Sequence, residues 1–177
     1  MKIILVFVTT LDGKVTKWGD VHVQKWSSKE DQKYFKQAWN EHPLIIMGSG
    51  TYDAEPFKAP VNNRLIIMTQ HPAKYKDKVV EGKLEFTDEP PAKIIERLKK
   101  EGAEEILLVG GPHLATSFLK ENLVNELWLT LEPKIFGSGG NFVVESKLDV
   151  NLQLLSSEKV NEQGTLIMKY AILKNNN

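Results

Sequence analysis

The stretch from Ile106 to Gly140, ILLVGGPHLATSFLKENLVNELWLTLEPKIFGSGG, constrains the fold most. It holds a strand, a glycine pair, a helix and a second strand in immediate succession. Ile106-Leu107-Leu108-Val109 is short, continuous and apolar, which suits a strand buried on both faces of a parallel sheet. The run stops at Gly110-Gly111. Pro112 suits the first turn of a helix, where a missing N–H costs nothing, and Leu114, Ala115, Phe118 and Leu119 form an apolar stripe at helical spacing up to a stop at Asn122. A strand that passes through two glycines into a helix start aims free N–H groups and a positive dipole end at one point, where a phosphate can sit. Spacing alone leaves a plain strand-to-helix turn equally open.

The same design recurs along the chain. Ile3 to Val8 is a second apolar run, and a polar segment follows to about Lys25, carrying Gly13, Gly19, Lys14, Lys17 and Lys25. A connection of that length reads as a lid over a site or as an exposed loop. Ser27-Ser28-Lys29-Glu30 fits a capping box with Ser27 as cap and Glu30 reaching back, which predicts a helix from about Ser28 to Asn40. Its apolar stripe is Tyr34, Phe35, Ala38 and Trp39, and one turn back on that stripe lies Asp31. A carboxylate carried inward is an acid/base candidate, the alternative being a solvated acid favoured by the helix dipole. Leu44 to Met47 is a third strand and exits through Gly48-Ser49-Gly50-Thr51-Tyr52 toward a short helix. Arg64 to Met68 is a fourth, ending at Thr69-Gln70-His71-Pro72, and Leu84 to Phe86 a short fifth. Pro90-Pro91 opens a helix to about Glu101, with Ile94, Ile95 and Leu98 inward and Gly102 as its stop. Leu127, Leu129 and Leu131 then alternate with Trp128 and Thr130, so the latter two share one face. Val150 to Ser157 and Thr165 to Leu173, joined across residues 161–164, read as an antiparallel hairpin, and the Asn175 to Asn177 tail as frayed.

Strands alternating with helices predict an α/β, three-layer α/β/α fold with a mostly parallel sheet closed by that C-terminal hairpin, in one domain spanning residues 1–177. Ligands of such sheets lie at the carboxyl ends of the strands. The exits at residues 48–51, 69–70 and 110–111 therefore mark the site. Lys+Arg 23 balances Asp+Glu 23 and no basic run alternates with aromatics, so neither nucleic acid nor an anionic membrane surface is an expected partner. A small molecule is. The start MKIILVFVTTLDG meets Asp12 too soon for a signal peptide, and no apolar stretch reaches the length of a membrane span. With zero cysteines, disulfides and thiolate metal sites are excluded, and no metal site is expected. Cytoplasmic location is the default expectation.

Three motifs add a resemblance: TTLDGKV followed by a Gly and WSSKEDQKYF; VGGPHLATSFLKENLVNELWL followed by EPKIFGSGG; and LIIMGSGTY. Together they resemble the dihydrofolate reductase superfamily and, within it, the reductase domain of the riboflavin-pathway deaminase-reductases and their stand-alone relatives. The resemblance covers nearly the whole chain and implies the dihydrofolate-reductase-like fold with NADPH as cofactor. It implies that Gly110 and Gly111, a pair often joined by a cis peptide in the family, lie against the cofactor pyrophosphate. Pro112, His113 and Leu114 follow them. Gly48, Ser49, Gly50 and Thr51 match the other cofactor turn, and Thr69 with Gln70 the exit near the adenosine phosphate. Asp31 aligns with the pterin-binding carboxylate when Phe35 is matched to the family's aromatic, and Thr130 with the threonine that hydrogen-bonds it. Glu30, Phe35 and Lys14 complete the substrate set.

Departures from the family pattern are visible too. Ser49 stands where an arginine usually takes the 2′-phosphate, with Arg64, His71 and Lys74 as substitutes; Asn63 stands where the folate-tail arginine is expected. Asp-Asp-Pro of the riboflavin-type relatives is here Ala54-Glu55-Pro56, and the deaminase half with its zinc motif is absent. The expected function is an NADPH-dependent hydride transfer to a C=N or C=O carbon of a pteridine or related pyrimidine, by a monomer or homodimer. Dihydrofolate is the best single substrate, with Asp31 and Thr130 as catalytic residues. The alternatives are the ribosylamino-pyrimidine of riboflavin synthesis, its phosphate met by Lys14, Lys17 or Lys25, and a non-catalytic dinucleotide-binding module.

Overall fold

Eight strands form one sheet in the computed structural model, which describes residues 1–54 and 62–174. They are β1 (Lys2–Thr10), β2 (Leu44–Gly48), β3 (Arg64–Met68), β4 (Leu84–Thr87), β5 (Glu105–Val109), β6 (Glu126–Glu132), β7 (Asn151–Lys159) and β8 (Leu166–Leu173). Their order is β4-β3-β2-β5-β1-β6-β8-β7. The first six are parallel, and β8 runs antiparallel to both β6 and β7. Continuous apolar runs occupy the centre because helices cover both faces: Ile4, Leu5, Ile45, Ile46, Leu107 and Leu108 are all fully buried. The strand β7 is exposed along its whole length.

Alternation along each strand sorts the core into two. On one face Ile4, Val6, Ile45, Met47, Leu107, Val109 and Trp128 pack with Ala38, Tyr34, Phe35 and Trp39 of α1 (Lys29–Glu41) and Tyr52 of α2 (Ser49–Ala54). On the other, Ile3, Leu5, Ile46, Leu108 and Leu127 meet α3 (Pro91–Lys100) through Ile94, Ile95 and Leu98, and α4 (Pro112–Lys120) through Leu114, Ala115 and Phe118. Each large aliphatic chain so removed from water contributes roughly 1.5–3 kcal/mol. Trp128 and Leu127 fall on opposite faces, as the alternation in β6 requires.

Several boundaries move. The cap of α1 is Ser28, not Ser27: its hydroxyl accepts from the Asp31 N–H at 3.2 Å. With two adjacent serines the pattern could start at either. The capping box through Glu30 does not form, because Glu30 is then the second helical residue, too early to reach back to the cap, and it is exposed and bonded to Asn161 instead. The helix α4 stops at Lys120, and Asn122 takes φ +53° two residues later. Thr165 belongs to the turn before β8, its N–H donating to the Asn161 side chain. Of the earlier readings, the Glu55-Pro56 part of the departure after the second cofactor turn and the tail Asn175 to Asn177 lie outside the described residues.

Candidate active site

All the parallel strands end at one edge, and there the exits of β2 and β5 meet. The Gly48 N–H donates to the Gly110 carbonyl at 2.9 Å, and the Gly110–Gly111 peptide is cis. Gly110 has φ +29°, and a Cβ on it would meet the Phe7 ring at 3.4 Å and Thr51 Oγ1 at 3.7 Å. One on Gly111 would stand 3.3 Å from Thr51 Oγ1. Gly48, Thr51, Gly110 and Gly111 are thus one cluster, although Thr51 and Gly110 lie 59 positions apart along the chain. Gly111 is the N-cap of α4 and supplies no side-chain cap, so the first N–H groups and the dipole of α4 open outward. Beside them lies a cleft of about 340 Å³ bordered by Pro112, His113, residues 139–141 and residues 143–145. Small residues under an uncapped helix start fit a nucleotide phosphate. The exit at Thr69 and Gln70 reaches the same edge from β3, the Thr69 N–H donating to the Thr87 carbonyl.

The second half of the site lies across β1. Val6 is level with Val109 and Val8 with Thr130, so the glycine pair and Thr130 flank β1 about 10 Å apart, two strand spacings. Thr130 is 1 % exposed, on the face covered by α1, and hydrogen-bonds the carboxyl of Asp31, itself 5 % exposed. Burial pushes Asp31 up to about 6; the hydroxyls of Thr130 and Ser27 oppose the rise, and the neighbouring charge of Glu132 adds to it. Ser27 Oγ reaches no partner at full hydrogen-bond geometry, and neither does Trp26 Nε1, both buried just ahead of Asp31. Tyr34 Oη, on the same face of α1 as Asp31, is a third such buried atom. A buried tryptophan before a cap signals packing in sequence, so neither Trp26 nor Ser27 was among the expected site residues.

A segment after β6 completes the edge. Residues 134–142 bind the 11–20 loop through Leu11 N–H to Lys134 O, Val15 N–H to Gly140 O, and Asp12 accepting from the N–H groups of Phe136 and Gly137. The loop read as a lid is therefore half of a two-loop clamp. Lys14 stands in it, its ammonium 2.7 Å from Asn141 Oδ1. The role of residues 137–140 was missed, although the Gly-Ser-Gly-Gly run marked a close backbone approach.

Other expected residues are not brought together. Phe35 is the exception: one turn after Asp31 on α1, it packs on Trp39 in the wall of the same face. Arg64 sits at the amino end of β3, bound to Glu85 and Glu101, a whole strand away from Thr69. It therefore cannot join a 2′-phosphate site with His71 and Lys74, and Lys74 itself lies against Asp53 and Tyr75. Asn63 is buried and donates its amide to the carbonyls of Trp39 and His42. No group of side chains suited to hold a metal ion, and no helix long and apolar enough to cross a membrane, occurs among the described residues.

The sequence profile of the RibD C-terminal domain matches residues 1–166. The chain belongs to that family. Among its relatives the uncharacterized protein YwjB of Bacillus subtilis (strain 168) is 25% identical over 163 residues, 89% of this chain and 91% of YwjB. The fold is that of a pyrimidine reductase-like protein from Corynebacterium diphtheriae, at TM-score 0.82 and 16% identity over 98% of this chain and 92% of that one. It is also that of the dihydrofolate reductase of Enterococcus faecalis, solved with NADP(H), at TM-score 0.68 and 19% identity over 97% and 94% of the two chains. RibD-type and dihydrofolate-reductase-type domains thus share this three-layer architecture, and the reductase-like reading of the sequence stands at that level.

Proposed function

We propose that the chain is an NADPH-dependent reductase that delivers a hydride to a ring carbon of a pyrimidine, with pteridines as the neighbouring substrate class. The observation that carries this is Asp31, a buried carboxyl held by Thr130 one strand away from an uncapped, glycine-lined helix start. In the bound state the nicotinamide supplies the hydride. Asp31 accepts the amino and ring N–H groups of an amino-pyrimidine, and with its midpoint near 6 it takes and returns a proton close to neutrality. Thr130 keeps the carboxyl facing the ligand. Trp26 Nε1 offers a hydrogen bond to an exocyclic oxygen of the ring. The clamp of residues 11–20 and 134–142 excludes water, and Lys14 extends from it to a substrate phosphate.

Membership of the RibD C-terminal domain family favours the ribosylamino-pyrimidine over dihydrofolate. So does Asn63, whose amide hydrogens are already given to backbone carbonyls and leave none for a folate tail. Oxidation of NADPH followed with each substrate in turn tests the reading. Turnover of the pyrimidine at least tenfold more efficient than of dihydrofolate is expected. The reverse ratio would restore dihydrofolate, and no turnover of either would favour a dinucleotide-binding module or a different substrate.

A further inference from the structure

We propose that Glu132 is a positioning residue for Asp31, fixing the first turn of α1 so that Asp31 turns toward Thr130. This rests on the reading of Asp31 as the working carboxyl.

A helix start of this kind usually closes on itself. The cap hydroxyl accepts from the third helical N–H, and an acid at that third position reaches back to the cap N–H. Here the third helical residue is Asp31, and Ser28 Oγ does accept from its N–H. The returning bond comes from elsewhere. The Ser28 N–H donates to Glu132 Oε1 at 2.6 Å, from the end of β6. Asp31 is thereby released from capping, and its carboxyl is free to face inward.

The other oxygen of Glu132 is used as fully. Oε2 accepts from the Thr165 hydroxyl at 2.9 Å, and the Asn161 amide donates to that hydroxyl oxygen at 3.0 Å. Asn161 also takes the N–H groups of Gly164 and Thr165 on its carbonyl and gives its amide to Glu30 at 3.1 Å. Glu132, only 1 % exposed, therefore ties the start of α1 to β6 and to the turn between β7 and β8. The same network draws Glu30 to the surface, and Asp31, the next residue, points the other way.

Glu132 also acts through its charge. Among the described residues, the titratable groups that face Asp31 are Glu132 from β6 and Tyr34 from α1; Lys134, past the end of β6, gives its ammonium to the Trp26 carbonyl. The negative charge of Glu132 thus favours the protonated form of Asp31.

The test uses Glu132→Gln, which keeps an acceptor for the Ser28 N–H and removes the charge, and Glu132→Ala, which removes both contacts. The Asp31 midpoint is read by NMR of 13C-labelled aspartate carboxyls, assigned from the Asp31→Asn spectrum. In Glu132→Gln the midpoint should fall, the acid limb of the turnover profile moving with it, while plateau kcat stays within about threefold. In Glu132→Ala kcat should drop at least about tenfold with NADPH affinity within about twofold, because the glycine cradle lies on other strands. A kcat within about twofold of wild type in Glu132→Ala overturns the proposal, as does an equal loss of kcat and NADPH affinity in that variant. Should the wild type turn over neither pyrimidine nor pteridine, the reductase reading fails, and the role of Glu132 is still decided by the Asp31 midpoint in Glu132→Ala, which should depart from that in Glu132→Gln when the carboxyl leaves Thr130.

Discussion

Glu30 and Asp31 are neighbours about 100° apart around one helix, and that angle separates a solvated acid from a buried one. The carboxyl of Asp31 has its midpoint raised from 3.8 to about 6 by burial, so the folded state holds the proton more tightly than the unfolded chain. Below pH 3.8 both states are protonated and no stability is lost. Between about 3.8 and 6 the unfolded chain ionises while the folded state keeps its proton, so stability is lost progressively, by up to about 3 kcal/mol for a shift of about two units, fully above 6. Asp31→Asn should therefore stabilise the protein at pH 7.5, by about 1–3 kcal/mol in urea unfolding, with the gain vanishing near pH 4. Glu30→Gln, as control, should shift stability by less than about 0.5 kcal/mol at either pH. Asp31 was legible because Tyr34, Phe35 and Ala38 define the stripe. Glu132 was not, since its partner Ser28 lies 104 residues away and no local pattern joins them.

At the scale of elements, the site is made where strands give way to helices and loops. Gly111→Val would drive side-chain atoms into Thr51, whose Oγ1 is 3.3 Å from the position of a Cβ. Titration of NADPH fluorescence should show at least a tenfold loss of affinity, about 1.4 kcal/mol. Gly139 is tighter still: at φ +143°, its Cβ would come 2.0 Å from the Thr16 carbonyl. Gly139→Ala should undock the two halves of the clamp, costing about 1–3 kcal/mol and speeding limited proteolysis within residues 11–20. Strands and helices were legible from period and punctuation, and the glycine exits from their neighbours. The clamp was not, because the length of the 11–25 loop announces a function without naming the segment it binds.

Over the whole molecule, the alternation of strand and helix and the closing hairpin were readable as an α/β three-layer fold, but the strand order was not. Parallel pairing such as that of β1 with β5 joins residues about a hundred positions apart, and apolar runs carry no address. That order decides which charges can cooperate. Arg64, in a network with Glu85, Arg97 and Glu101 at the end of β3 remote from Thr69, should leave the ratio of NADPH to NADH efficiency unchanged within about twofold in Arg64→Ala. A collapse of the ratio would return Arg64 to the cofactor site. The central claim, that Asp31 acts on a substrate beside a nucleotide held by the β5–α4 exit, is tested most directly by Asp31→Asn assayed with the ribosylamino-pyrimidine at neutral pH. Turnover should fall by roughly two to four orders of magnitude while the NADPH dissociation constant stays within about twofold. A variant that keeps wild-type turnover, or that loses NADPH binding in step with it, would contradict the account.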